Sequence, residues 1–365
     1  MAKPRTLELR WPAMGVVRRQ SHERQYSAVS YPTPWAMNCR LEDSLTSRLR
    51  GGSFTAIDAD DRPSSIVYRD RTLTFSGGAI TASRQGDSND TTLSADVSDA
   101  QRPILFQLSE AEGSGGTVVA LVPHKDQYLL GFTASETWVL RGDPATGQLR
   151  RVSDEVGIIG ADAWCVAHDT VYFLSSRGLY SVQADGSGLK PLSEDVLPED
   201  LIGVDDDDCT LTYQHSDRGV YIHFTSETNW FYDTAREGFW PFDTDTTNSH
   251  VLIGPLRLGG PDTYGMIQRV HGVMAQSSGT VTCRVVTGDT AEEACDDGKA
   301  AITAILAGTA HEHYVAADTS WEAGRSNTWW PRCRGMWCCL WLSGASDWAF
   351  ESLNMTITPF GRWRG

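Results

Sequence analysis

Between positions 127 and 243 short apolar runs alternate with polar ones, and one succession of runs and turns recurs three times. The first passage runs from Gln127-Tyr128-Leu129-Leu130-Gly131-Phe132 through Glu136-Thr137-Trp138-Val139-Leu140 and a turn at 142–147 to Leu149-Arg150-Arg151-Val152. The second runs from Asp169-Thr170-Val171-Tyr172-Phe173-Leu174 through Gly178-Leu179-Tyr180-Ser181-Val182 and a turn at 185–188 to Leu189-Lys190-Pro191-Leu192. The third runs from Arg218-Gly219-Val220-Tyr221-Ile222-His223-Phe224 through Asn229-Trp230-Phe231-Tyr232 and a turn at 234–238 to Phe239-Trp240-Pro241-Phe242. Each reads strand, tight turn, strand, glycine-containing turn, strand. Phe132, Phe173 and Phe224 hold matching places, 41 and 51 residues apart. A period of roughly 40–50 residues with several short strands per unit is the mark of propeller blades. One such sheet cannot cover both its faces alone, so the units must stack. A β-sandwich with accidental similarity is the competing reading; the recurring order of turns favours the propeller.

The same patterning extends outward. Ile66-Val67-Tyr68 and Thr72-Leu73-Thr74-Phe75 flank Arg69-Asp70-Arg71, a hairpin signal within an irregular first blade over 54–117. Val251-Leu252-Ile253-Gly254-Pro255-Leu256 and the run 265–274 predict a further blade, which brings the count to about five. Around 288–294 the texture changes to a short helix or an exposed loop. Beyond it stand seven of the 13 tryptophans, with Leu353, Met355 and Ile357 alternating against Ser352, Asn354 and Thr356. The runs 334–342 and 348–358 read as two strands joined by a turn at 343–347. The expected fold is all-β: a propeller with an additional antiparallel β module built by the C-terminal segment, with the N-terminal segment a candidate contributor. The expected boundaries are 1–50 for a docking arm, 51–285 for the propeller and 286–365 for the Trp-rich module.

Composition narrows the function classes. The 365 residues, 40% apolar with 34 glycines, suit a globular chain rich in turns. No apolar run is long enough to span a membrane, and the N-terminus has no apolar signal core. Synthesis and folding in a cytoplasm are therefore expected, with the eight scattered cysteines free and no disulfide. They form no CxxC pair, so no zinc site or other cofactor is expected. A net charge of −16 argues against a surface that grips nucleic acid by counterion release.

The first 50 residues are locally basic and carry Trp11, Arg18, Arg19, Trp35, Arg48 and Arg50. They read either as a solvated tail or as an arm docking on a partner. The C-terminal tryptophans, with Trp329, Trp330, Arg332, Arg334, Arg362 and Arg364 among their neighbourhood, read either as a core or as a subunit interface. The polar loop at 86–90 lacks EF-hand spacing. The run Asp205-Asp206-Asp207-Asp208 reads as an exposed loop. His311-Glu312-His313 is not HExxH, and on a strand its two imidazoles would share a face without an evident third ligand. There is no P-loop and no GxSxG elbow. Glu136, Asp169, Asp217 and Glu227 fall near strand ends, where a propeller hydrolase would keep an acid–base pair; no catalytic residue is assigned.

Three stretches carry a family resemblance. They are Asp43-Ser44-Leu45 with Arg48-Leu49-Arg50-Gly51-Gly52-Ser53; the run 130–138 with Gly157-Ile158-Ile159-Gly160 and 171–179; and Pro331-Arg332-Cys333-Arg334-Gly335 with 348–353 and 359–364. Together they resemble the propeller-containing tail nozzle or tail tube proteins of short-tailed bacteriophages. The resemblance implies a virion protein without catalysis, present in the host cytoplasm during assembly. It implies a homo-oligomeric ring, a hexamer, below the portal and adaptor, touching other tail proteins and fibres or spikes. Genomic DNA would pass through without sequence-specific binding. A glycan-binding or glycan-cleaving propeller is the alternative.

Overall fold

The computed structural model describes residues 4–9, 16, 33, 35–42, 48–52, 54, 65–109, 116–197, 199–204, 209–260, 263–324 and 327–362. The chain opens with four short strands, β1 (Arg5–Glu8), β2 (Trp35–Met37), β3 (Cys39–Glu42) and β4 (Arg48–Gly51). Four four-stranded antiparallel sheets follow, each a meander in chain order. The first comprises β5 (Ser65–Tyr68), β6 (Arg71–Ser76), β7 (Ala79–Ala82) and β8 (Ile104–Gln107). The second comprises β9 (Val118–His124), β10 (Tyr128–Thr133), β11 (Thr137–Arg141) and β12 (Gln148–Ser153). The third comprises β13 (Trp164–Ala167), β14 (Thr170–Ser175), β15 (Gly178–Gln183) and β16 (Lys190–Pro191). The fourth comprises β17 (Cys209–Gln214), β18 (Gly219–Phe224), β19 (Asn229–Asp233) and β20 (Gly238–Phe242).

Next come β21 (Ser249–Arg257), β22 (Thr263–Met274), β23 (Val281–Gly288) and the helix α1 (Ala291–Leu306). The chain ends with β24 (Ala317–Trp321), β25 (Asn327–Trp329), β26 (Arg334–Gly335), β27 (Trp337–Gly344) and β28 (Trp348–Arg362). The fold is thus all-β and propeller-like. Each repeat has one strand more than the alternation reveals, because β9, β13 and β17 precede the three strands read in the sequence.

By contacts the chain divides into two units. One holds residues 1–56, 216–219 and 228–365; the other holds 57–215 and 220–227. The second unit is built on stacked sheets. Ile66, Tyr68, Leu73 and Ile80 of the first sheet share a core with Leu121, Leu129, Trp138 and Leu140 of the second. Phe132 and Phe173, matched in the sequence repeat, touch between the second and third sheets at 4.8 Å between ring centroids. Gly157 passes so close to the β10–β11 corner that a Cβ there would lie 2.2 Å from the Thr133 carbonyl oxygen. That proximity lets Ile158 N donate to Thr133 O at 3.0 Å.

The first unit has two larger sheets. One follows the order β25-β22-β28-β4-β3, with β1 also on β28 and β26 also on β22; the other is β2-β21-β27-β23-β24. The strands expected to form a further blade, β21 and β22, therefore lie in different sheets. So do β27 and β28, expected to pair with each other. In each case chain neighbours separate because their partners are distant in sequence: β21 pairs with β27 and β22 with β28. The N-terminal strands are woven into both sheets, with Arg5 opposite Ile357, Leu49 opposite Phe350 and Trp35 opposite Leu252. Asn38, at φ 52°, marks where the chain leaves one sheet for the other. Its amide donates to Thr246 O and Asn248 O and accepts from Asp243 N at 2.7 Å, so this buried corner is fully bonded.

Side-chain alternation along β27 sends Trp337, Cys339 and Trp341 to the helix face, where they pack with Ala294, Cys295 and Ile302 of α1. Cys338, Leu340 and Leu342 go to the opposite face and are fully buried. The helix is longer than the sequence texture implied. Thr290 caps it: Glu293 N donates to Thr290 Oγ1 at 3.0 Å, and the Glu293 carboxylate reaches back to accept from Asp289 N at 2.7 Å. His311-Glu312-His313 enters a short 3-10 turn, Glu312–Tyr314, rather than a strand. Among the described residues no group of three or more His, Cys, Asp or Glu side chains is placed to hold a metal, and no helix is long and apolar enough to cross a membrane.

All eight cysteines are free, seven of them buried. Burial pushes the Cys39, Cys209, Cys338 and Cys339 thiols well above their ordinary value. A thiol-reactive disulfide reagent should therefore label the native protein slowly and find eight thiols in denaturant. Six or fewer in fresh, unreduced protein would contradict this arrangement.

Candidate functional site: a rim of charged hairpin turns

The first hairpin of each sheet in the second unit turns on a basic–acidic pair. The pairs are Arg69-Asp70 between β5 and β6, Lys125-Asp126 between β9 and β10, and His168-Asp169 between β13 and β14. Arg69, Asp70, Lys125, Asp126 and His168 all have positive φ, between 47° and 57°. Consecutive left-handed residues make the two-residue turn that matches strand twist, and Asp tolerates that conformation.

These turns link sheet to sheet. Arg69 N donates to Asp126 Oδ1 at 3.0 Å and Arg69 Nε to Asp126 O at 2.7 Å. In the next step His124 Nε2 lies 3.0 Å from Asp169 Oδ1, and Lys125 Nζ bonds the same oxygen. His168 then meets Tyr213 and His215 at ring distances of 6.2 and 5.6 Å. Two matching clefts result. One, of about 410 Å³, is lined by Arg69, Asp126 and Asp143. The other, of about 490 Å³, is lined by Lys125, Asp169 and Asp185. Position for position, each holds a base from one sheet, the acid of the next sheet's first turn and the acid of its third turn.

Arg71 anchors the rim from below. The sequence places it at a hairpin turn, and its side chain is fully buried. Its Nε donates to Asp143 Oδ2 at 2.9 Å, and its Nη atoms donate to the carbonyls of Ser83, Gln101, Arg102 and Ala100. Through these bonds the long β7–β8 connection, 83–103, is fixed to the sheet. Within it Asp87, Asp90, Asp96 and Asp99 each accept a backbone N–H two residues on.

The electrostatics of the second cleft are those of paired ions. Lys125 first, and then His124, holds the Asp169 carboxyl below its usual range. Two bonds from Ser187 do the same for Asp185. A general acid working near neutrality needs the opposite, a carboxyl raised by burial or by a like charge. Glu136 sits at the other end of β10, about 20 Å of strand away from the Asp169 rim. There it accepts from Trp138 Nε1 and pairs with Arg151. Asp217 binds Arg40 at 2.7 Å. Glu227 is exposed between β18 and β19. The first unit places its own titrating group under α1. Trp341 Nε1 lies 3.3 Å from His250 Nδ1, and the Arg284 guanidinium stacks 4.3 Å from the Trp341 ring centre.

Burial chiefly, and then the Arg284 charge, pushes the His250 imidazole down to about 4. An unfolded histidine titrates near 6.5. The stability contributed by neutral His250 is therefore complete above about pH 6.5 and is lost as pH falls toward 4. Between pH 7 and pH 5 the loss should be about 2 kcal/mol in urea unfolding, and the His250→Gln variant should show a shallower slope. Parallel slopes for the two proteins would refute a buried neutral imidazole.

The residues expected at an interface separate into three groups. Trp35 is half-buried against the α1 cluster and edge-on to His250, Arg48 binds Glu351 at 2.8 Å, and Arg50 pairs with Asp347 at 3.5 Å. Trp330, Arg332 and Arg334 are exposed, beside half-buried Trp329. Trp11, Arg18, Arg19 and Arg364 lie outside the described residues, as does the four-aspartate run, and Arg362 ends β28. Of the other C-terminal tryptophans, Trp321, Trp337, Trp341 and Trp348 are core residues.

No family model matches this chain, and no curated protein does. Among solved structures it is similar to a glycoside hydrolase family 43 arabinoxylan arabinofuranohydrolase from Bacillus subtilis, determined in complex with cellotetraose. The identity is 7% and the TM-score 0.23, over 88% of this chain and 79% of that one.

Proposed function

We propose that this chain is a structural subunit of a bacteriophage tail, one copy of a hexameric ring below the portal and adaptor that serves as conduit and gate for the genome. The observation that carries the reading is how the N-terminal arginines are used. Arg40, Arg48 and Arg50 are each bonded to an acid of their own unit, Asp217, Glu351 and Asp347. The chain as a whole carries −16. Arginines already paired in this way offer phosphate little grip, where free ones would hold a duplex in a salt-dependent manner. The ion-paired rim suits a rigid load-bearing part, because each turn is tied to the next by directional bonds.

The competing reading is a glycan-binding or glycan-cleaving protein that uses the two polar clefts. Genetic depletion separates the two. Particles assembled without this chain should retain filled heads but lack a functional tail and fail to infect. Normal infectivity without it, together with sugar hydrolysis lost in Asp169→Asn, would replace the tail reading with the enzymatic one.

A further inference from the structure

The outer edge of β22 is paired at two places and interrupted between them. Val270 faces Trp329, and Met266 faces Arg334. In the gap Ile267 N reaches Cys333 O at 2.9 Å, and residues 330–333 bulge outward with Arg332 at φ 55°. The bulge holds Trp330 60% exposed. Arg332, Arg334 and Arg269 are exposed along the same edge. A bulge protects a sheet edge from strand pairing, but protection does not require a tryptophan. An exposed Trp flanked by arginines is the chemistry of an interface hot spot.

The second unit carries a patch of complementary kind. In the 83–103 connection Leu93 is 56% and Val97 80% exposed. Asp87, Asp90 and Asp96 belong to the same connection and are not buried. Arg71 and the aspartate-capped turns hold this loop in one conformation, so docking on it costs little ordering entropy.

We infer that the Trp330–Arg332 bulge of one copy docks on the Leu93–Val97 loop of a second copy. Both patches pair apolar surface with charge, and their charges are opposite. In a chain of net charge −16 the basic, aromatic bulge is matched by the acidic surface of an identical neighbour. Because the two patches differ, the contact is heterologous and repeats from copy to copy, as a ring demands. The inference rests on the ring reading above and supplies its contact.

Native mass spectrometry and light scattering of the full chain test it. The wild type should self-associate, more weakly at high salt. Trp330→Ala, Arg332→Glu and Val97→Arg should each weaken association about tenfold or more while leaving the far-UV spectrum unchanged. Arg332→Glu combined with Val97→Arg should recover most of the loss, since the reversed charges again attract. Association untouched by all three variants would place the contact elsewhere and leave the ring reading standing. A monomeric wild type would overturn the docking, while depletion from particles still decides the tail role independently. Duplex DNA binding lost in Arg332→Glu would make the bulge a nucleic-acid site and overturn the self-docking.

Discussion

Replacing Arg71 by methionine will cost about 3–5 kcal/mol of unfolding free energy, the range for breaking a buried, hydrogen-bonded ion pair from one side. The methionine fills much of the stem volume but donates nothing. Asp143 loses its Nε partner, and the carbonyls of Ser83, Ala100, Gln101 and Arg102 lose theirs. Water can reach these groups only by loosening the 83–103 connection. Hydrogen exchange should therefore accelerate first there and in the 142–147 turn. Arg71→Lys should rescue little, because a compact ammonium cannot reach acceptors spread around a planar fork. A loss below about 1 kcal/mol with unchanged exchange would mean that the network is not holding the connection.

Trp341→Ala should be comparably costly, about 3–5 kcal/mol. The indole is fully buried between the five-stranded sheet and α1. It also carries the Arg284 stack and the hydrogen bond to His250. Truncation leaves a cavity that the helix must settle into and admits water beside the imidazole. The acid-induced loss of stability assigned to His250 should flatten in the same variant. Trp341→Phe should retain most of the packing and lose the indole N–H bond, near 1 kcal/mol. Equal losses for Phe and Ala would show that the bond, not the volume, dominates.

The repeating strands were legible because each is a short apolar run bounded by polar turns, as in β10, β14 and β18. Their extra partners were harder to see. Val118-Val119-Ala120-Leu121-Val122 in β9 is nearly continuous in its apolar character, so period-two alternation gives no signal there. The larger sheets were illegible for a different reason. Nothing local to β21 says that its partner is β27 rather than β22, and a glycine-rich link at 258–260 imitates a hairpin. The N-cap of α1 was written in Thr290 and Glu293 but obscured by the acidic, alanine-rich texture that follows. As to the rim, the dipeptides Arg69-Asp70, Lys125-Asp126 and His168-Asp169 stand plainly in the sequence. They precede the strands whose glycine-containing turns mark the repeat, because β5, β9 and β13 stand ahead of them. The fates of Arg48 and Arg50 could not be read at all, because their acids lie about three hundred residues away, at Glu351 and Asp347.

The tail-ring proposal is tested most directly by a cryo-electron-microscopy reconstruction of purified particles. The account predicts a closed ring of copies around the genome path below the portal. In that ring the paired large sheets and the four-stranded sheets should be recognisable in every subunit, with the Trp330 bulge of one copy against the 83–103 loop of the next. A tail whose every ring is accounted for by other chains, with no density for this fold, would contradict it.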